Sequence, residues 1–195
     1  MVELTTSQNT AKMYSKFNTD NNGESNECYT RLVEARKLVK FLEKYNLRDK
    51  IVWCPFDKEN SNIVIALKER GYKVIYTHIE YGQDFLNYVT NFAWDVMISN
   101  PPFSKRTKFF NKIESYKRPY IMLQPLMFFN NNSMINMLIK GSNKFRLLLP
   151  KNRMGFITKM REYEKSTRFY SFWLCKDLFL DRDMFIELKE YSEEK

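Results

Sequence analysis

Between residues 32 and 149, short apolar runs alternate with segments of helical periodicity, and no other feature restricts the fold of this chain as much. Leu32, Ala35, Leu38, Val39, Leu42 and Tyr45 recur at the spacing that places apolar side chains on one face of a helix. The run Ile51-Val52-Trp53-Cys54 follows and is closed by Pro55; it is short and apolar enough for a strand buried on both faces. Ile63, Ala66 and Leu67 then mark a second helix, capped by Asn60 or Ser61 and stopped at Gly71. Further strands are expected at Lys73–Thr77, Trp94–Ser99, Tyr120–Leu123 and Lys144–Leu149, with helices at Asp84–Val89, Thr107–Tyr116 and Ser133–Ile139. Two strand-like pieces, Met154–Thr158 and Phe169–Cys175, come last.

Repeated strand–helix units that end in a hairpin-like pair specify an α/β fold: an open, mostly parallel sheet with helices on both faces. Ligands of such sheets sit beyond the carboxyl ends of the strands, which here means just after Cys54, Thr77, Ser99 and Leu123. Residues 28–180 are expected to form this domain. Residues 1–27 read as a polar arm with too few apolar side chains to bury, and 181–195 as a charged, helical or frayed tail.

Composition narrows the function classes. Hydrophobic residues make up 44% of the 195, enough for a packed core, and the formal net charge is +9. A cation of that size favours a polyanionic partner such as nucleic acid, although a generic lysine-rich surface gives the same number. Three scattered cysteines and the single histidine, His78, fit neither a disulfide framework nor a zinc cluster, and no metal is expected. The N-terminus is polar and no apolar run is long enough to span a bilayer, so the expected compartment is the cytoplasm, with no membrane partner.

The segment with the most chemistry is Asn100-Pro101-Pro102-Phe103, directly after an apolar strand and before a helix. Two prolines fix φ twice and remove two donors, leaving a stiff turn with unpaired carbonyls. An asparagine oxygen beside the Pro101 carbonyl offers two acceptors at one point, which matches the two N–H donors of an exocyclic amine. Phe103 adds a face on which a base can stack, worth on the order of 1–3 kcal/mol per base. A tight turn with a capping asparagine is the plainer reading, and the strand–turn–helix context argues against it.

In this setting Asp95 through Phe103 resembles the fourth motif of the N6-adenine and N4-cytosine amino-methyltransferases, in the Asn-Pro-Pro-Phe form more typical of the adenine enzymes. Together with Cys54-Pro55-Phe56-Asp57 and Gly82-Gln83-Asp84-Phe85, it is similar to small phage-type adenine methyltransferase-like proteins over residues 28 to 176. The resemblance implies a Rossmann-like class I methyltransferase fold, with a mostly parallel seven-stranded sheet and a C-terminal antiparallel hairpin. It implies S-adenosyl-L-methionine as cofactor and Asn100, Pro101, Pro102 and Phe103 as catalytic residues, Asn100 also touching the cofactor. The implied cofactor contacts continue through Tyr29 and Thr30, then Cys54, Pro55, Phe56 and Asp57, then Glu80, Asp84 and Phe85. Glu80 would hold the ribose, with a surface acid as the alternative; Asp84 would meet the adenine, with a helix cap as the alternative. Lys105, Arg106, Lys151, Arg153 and Phe156 are the implied nucleic-acid contacts, the last three in a loop that reads equally well as a solvated hairpin.

Two departures stand out. Only five glycines occur in the chain and none follows Pro55-Phe56, where the family's cofactor turn uses them; Arg31 stands where a proline is usual. Two functions are therefore carried forward. One is S-adenosylmethionine-dependent methylation of adenine N6 in nucleic acid, DNA before RNA. The other is a catalytically degraded protein of the same fold that binds nucleic acid or a host protein. The chain has no room for a separate target-recognition domain, so target choice falls to its loops or to a second subunit.

Overall fold

The computed structural model describes residues 28–45, 47–103, 105–158, 161–164, 169–178 and 184–188. The expected N-terminal arm lies outside these residues, as does most of the expected tail.

Seven strands form the main sheet: β2 (Ile51–Cys54), β3 (Lys73–Tyr76), β4 (Val96–Ser99), β5 (Tyr120–Pro125), β6 (Phe145–Pro150), β9 (Ser171–Lys176) and β10 (Phe185–Leu188). Their order is β10-β6-β9-β5-β4-β2-β3, and β9 runs antiparallel to both of its neighbours while the remaining pairs are parallel. The helices are α1 (Leu32–Leu42), α2 (Asn62–Glu69), α3 (Arg106–Ser115) and α4 (Asn132–Lys140).

Side-chain alternation along the strands divides the core into two layers. Val52, Cys54, Val96, Ile98, Ile121 and Leu123 face the layer that includes Ala35, Leu38 and Leu42 of α1 and Ile63 and Leu67 of α2. Trp53, Met97, Tyr120 and Met122 face the other, with Phe110 and Ile113 of α3 and Met134 and Leu138 of α4. Continuous apolar runs in β2, β4 and β5 follow from burial on both faces. A bidentate pair from Arg36 to Glu69, at 2.8 and 2.9 Å, ties α1 to α2. Among the described residues no helix is long and apolar enough to cross a membrane.

Three expectations are corrected. Asp84–Val89 is a turn, not a helix: Asn87 N and Tyr88 N bond the Asp84 carbonyl at 2.9 and 2.7 Å, and the Asp84 side chain accepts from Leu86 N at 3.1 Å. A carboxylate that takes the local N–H groups competes with helix continuation. Met154–Thr158 is absent from the main sheet; β7 (Phe156–Thr158) joins β1 (Cys28–Thr30) and β8 (Arg161–Glu164) in a separate three-stranded sheet, and the antiparallel element of the main sheet is β9 between β5 and β6. Phe185–Leu188, placed in the charged tail, is an edge strand parallel to β6, with Leu188 buried in the first core layer. Its apolar residues are only Phe185, Ile186 and Leu188, interrupted by Glu187, which hides the strand period in the sequence.

Candidate active site

The chain passes from β2 outward to β3 and then returns across β2 to β4, which puts a topological switch point between β2 and β4. A cavity of about 440 Å³ opens there, at the carboxyl ends of the strands. Its wall is assembled from five directions: β1 with Ile157 of β7, the Pro55–Ile63 segment after β2, His78 and Ile79 after β3, Asp84 and Phe85, and Asn100–Phe103 after β4. Phe109 of α3 closes the inner side.

The turn after β2 is held without glycine. Thr77 accepts a hydrogen bond from Trp53 Nε1 at 3.0 Å and donates to the Pro55 carbonyl at 3.5 Å. Ser99, the last residue of β4, donates to the Asp57 carboxylate and accepts from Phe56 N at 3.3 Å. Ser61 spends its hydroxyl on Asp57 and on Lys58 N, the latter at 2.8 Å, so it does not cap α2 through its side chain. Asp57 is 6% exposed and no described cation pairs with it. Burial pushes its carboxyl up to about 6, against the opposing pull of the Ser99 and Ser61 hydrogen bonds.

Asn100 reaches back to the small sheet. Its Nδ2 donates to the Cys28 carbonyl at 2.8 Å and to Thr30 Oγ1 at 3.3 Å. Opposite, Phe56, Phe85 and Phe109 form an aromatic cluster with ring centroids 4.7 Å (Phe56–Phe85) and 5.1 Å (Phe56–Phe109) apart. Lys112 pins the Asp84–Tyr88 turn against α3 by donating to the Leu86 and Tyr88 carbonyls at 3.1 and 2.8 Å. Phe103 stands edge-on to Phe169 at 6.2 Å.

Of the residues singled out in the sequence, Tyr29, Thr30, Pro55, Phe56, Asp57, Asp84, Phe85 and Asn100–Phe103 share this cavity. Cys54 does not; it is fully buried in the first core layer, and burial raises its thiol well above the usual range. Glu80 lies on the exposed turn Ile79–Tyr81, paired with Lys58 at 3.1 Å, and is absent from the cavity wall. The wall position after β3 belongs to His78, whose Nδ1 accepts from Glu80 N at 3.2 Å. Phe156 is fully buried against Phe169, so it offers no face to a base. Arg106 turns inward, its guanidinium 5.9 Å from the Phe128 ring centroid and donating to the Met127 carbonyl at 3.5 Å; burial lowers its pKa. Lys105, Lys151 and Arg153 are exposed.

Sequence reasoning missed Ser99, Lys58 and Phe109, while Asn62, expected as a polar contact at the start of α2, does line the cavity. A polar residue ending the apolar run Val96–Ile98 was a usable signal for Ser99. Phe109 carried none, since Phe109 and Phe110 read alike as helix core.

No protein-family model matches this chain, and no curated protein matches it in sequence. Solved structures do. A type I restriction-modification system methyltransferase subunit from Streptococcus thermophilus superposes with a TM-score of 0.53 at 15% identity, over 95% of this chain and 52% of that one. A Listeria monocytogenes protein described as a class I S-adenosylmethionine-dependent methyltransferase gives a TM-score of 0.47 at 12% identity, over 82% and 65% of the two chains. A precorrin 8w decarboxylase from Methanobacterium thermoautotrophicum gives 0.43 at 9%, over 83% and 97%. The present chain spans about half the length of the streptococcal subunit. The strand order, the helices on both faces and this likeness give one conclusion: the chain has the Rossmann-like class I methyltransferase fold.

Proposed function

We propose that this protein transfers a methyl group from S-adenosylmethionine to the N6 amino group of adenine in nucleic acid, DNA before RNA. The observation that carries the reading is that Asn100–Phe103 and the buried Asp57 line one cavity at the switch point.

The residues present fit the cofactor. Asp57 is a buried carboxylate with no described cationic partner, and such a group favours a ligand that brings its own positive charge. Phe56, Phe85 and Phe109 supply an apolar slot, with Asp84 at its edge as an acceptor for an amine. A volume of about 440 Å³ falls within the roughly 300–1,000 Å³ of small-molecule sites. Asp57 would hold the ammonium group, and Phe85 with Asp84 the adenine. Bound there, the cofactor supplies an electrophilic methyl group. Both Nδ2 hydrogens of Asn100 are engaged by β1, which leaves Oδ1 to accept from the target amine beside the Pro101 carbonyl. Accepting both amine hydrogens keeps the nitrogen lone pair free for attack, so the protein's contribution is alignment and polarisation. Phe103 stacks on the base, and a duplex target must first be flipped open at a cost of a few kcal/mol.

Glu80 favours a second reading. The carboxylate after β3 is paired with Lys58 and is not part of the cavity wall, which suits a protein of this fold that has lost its cofactor and binds nucleic acid or a host protein. Calorimetric titration with S-adenosylmethionine and S-adenosylhomocysteine separates the two. Micromolar binding, with labelled-methyl transfer to an adenine-containing oligonucleotide that Asn100→Ala abolishes, is the expected result. No heat at millimolar cofactor would overturn the enzyme reading and leave the second.

A further inference from the structure

A terminal amide can sit in two orientations that exchange its oxygen and nitrogen, and only one of them presents an acceptor. At Asn100 the surroundings decide which. The Cys28 carbonyl can only accept, so the side-chain atom 2.8 Å from it must be Nδ2. The second Nδ2 hydrogen is met by Thr30 Oγ1 at 3.3 Å.

Thr30 is itself fixed. It is 5% exposed, its carbonyl accepts from Asn62 Nδ2 at 2.9 Å, and its backbone pairs with Phe156 across the β1–β7 ladder. A polar chain thus runs from the first turn of α2 through the end of β1 to the residue after β4. The linked residues are 32 and 70 positions apart in sequence.

We infer that Thr30 is a positioning residue for Asn100, supported by Asn62: it locks the amide with Oδ1 toward the cavity, so that the site selects a ligand amino group over a carbonyl. The inference rests on the proposed function only for identifying that amine as adenine N6. A site built to accept from an N–H rejects an analogue that presents an oxygen there, because two acceptors are then left facing each other. An oligonucleotide with hypoxanthine in place of adenine puts a carbonyl oxygen where the N6 amine stood, with a proton gained at the neighbouring N1.

The experiment compares wild type, Thr30→Val and Thr30→Ser. The Val variant keeps the shape and removes the acceptor; the Ser variant restores it. In nitrogen-15 NMR, one Asn100 side-chain amide proton is expected to lose protection from exchange in Thr30→Val and regain it in Thr30→Ser. Unchanged protection in Thr30→Val overturns the inference. In methyl transfer, Thr30→Val is expected to lower kcat about tenfold with KM for the adenine oligonucleotide unchanged, and in competition binding it is expected to narrow the preference for the adenine over the hypoxanthine oligonucleotide. A rise in cofactor KM at constant kcat would make Thr30 a cofactor contact only and likewise overturn it. If wild type transfers no methyl group, the functional reading fails, and the NMR arm alone decides the inference.

Discussion

Ser99 Oγ donates to the Asp57 carboxylate, so the last residue of β4 holds the turn that follows β2 across the crevice between them. One hydroxyl thereby does at this turn what close-packed glycine backbone does in other cofactor loops.

Ser99→Ala removes one of the two hydroxyl partners of a buried anion. The expected loss of stability at pH 7 is about 1–3 kcal/mol. Urea unfolding at pH 7 and pH 4 checks it, because the loss should shrink once Asp57 is protonated. Equal losses at both pH values would mean that the serine contributes packing and not charge stabilisation.

Asp57 itself sets a pH dependence. Its folded-state pKa of about 6 lies above the ordinary 3.8, so between these values the folded protein binds the proton more tightly than the unfolded chain. Stability therefore falls as pH rises from about 4 to about 6 and then levels off. Asp57→Asn should be more stable than wild type at pH 7, by an amount on the order of 2–3 kcal/mol, and should lose that advantage below pH 4. A cationic ligand should bind wild type more weakly as pH drops below 6. A flat difference between variant and wild type from pH 4 to 7 would refute the assignment.

The segment from the loop after β6 into β7 separates stability from binding. Phe156→Ala should cost about 3–5 kcal/mol, since the ring is fully buried between the core and Phe169. Lys151→Ala with Arg153→Ala should leave the melting temperature unchanged, while weakening nucleic-acid binding and flattening its salt dependence. Salt titration of oligonucleotide binding, beside a melting curve, reads both.

Glu80→Gln breaks an ion pair whose carboxylate is 54% exposed, and should change stability by less than about 1 kcal/mol. Cofactor affinity should stay within about threefold of wild type, a difference well under 1 kcal/mol. A tenfold loss in calorimetry would show that Glu80 swings from Lys58 to the ligand.

The parallel sheet and both of its helix layers were legible in the sequence because strands buried on two faces leave unbroken apolar runs, as in Ile51–Cys54 and Tyr120–Leu123. The Asn100–Phe103 segment was legible too, since prolines and a leading asparagine have few other uses after a strand. What failed were inferences that needed a side chain's direction. Phe156 and Lys151 are five positions apart, and nothing in their order says that one turns into the core and the other into solvent. Glu80 shows the same limit: the short helical turn after His78 rotates it off the wall by a single position. The turn at Asp84 was misread because a carboxylate that bonds its own loop leaves the same apolar spacing as one that starts a helix.

The small sheet carries a consequence for how the site comes apart. β1 and its partner β7 are three residues long each, and β1, through Cys28 and Thr30, supplies both anchors of the Asn100 amide. They belong to no ladder of the seven-stranded sheet, so they can fray without breaking it. Sub-global opening of such an element takes less free energy than unfolding the core. The amide hydrogens of Tyr29 and Ile157 should therefore exchange before those of β2 and β4, and heat should release the Asn100 acceptor while the main sheet is still intact. The inactivation temperature then lies below the melting temperature.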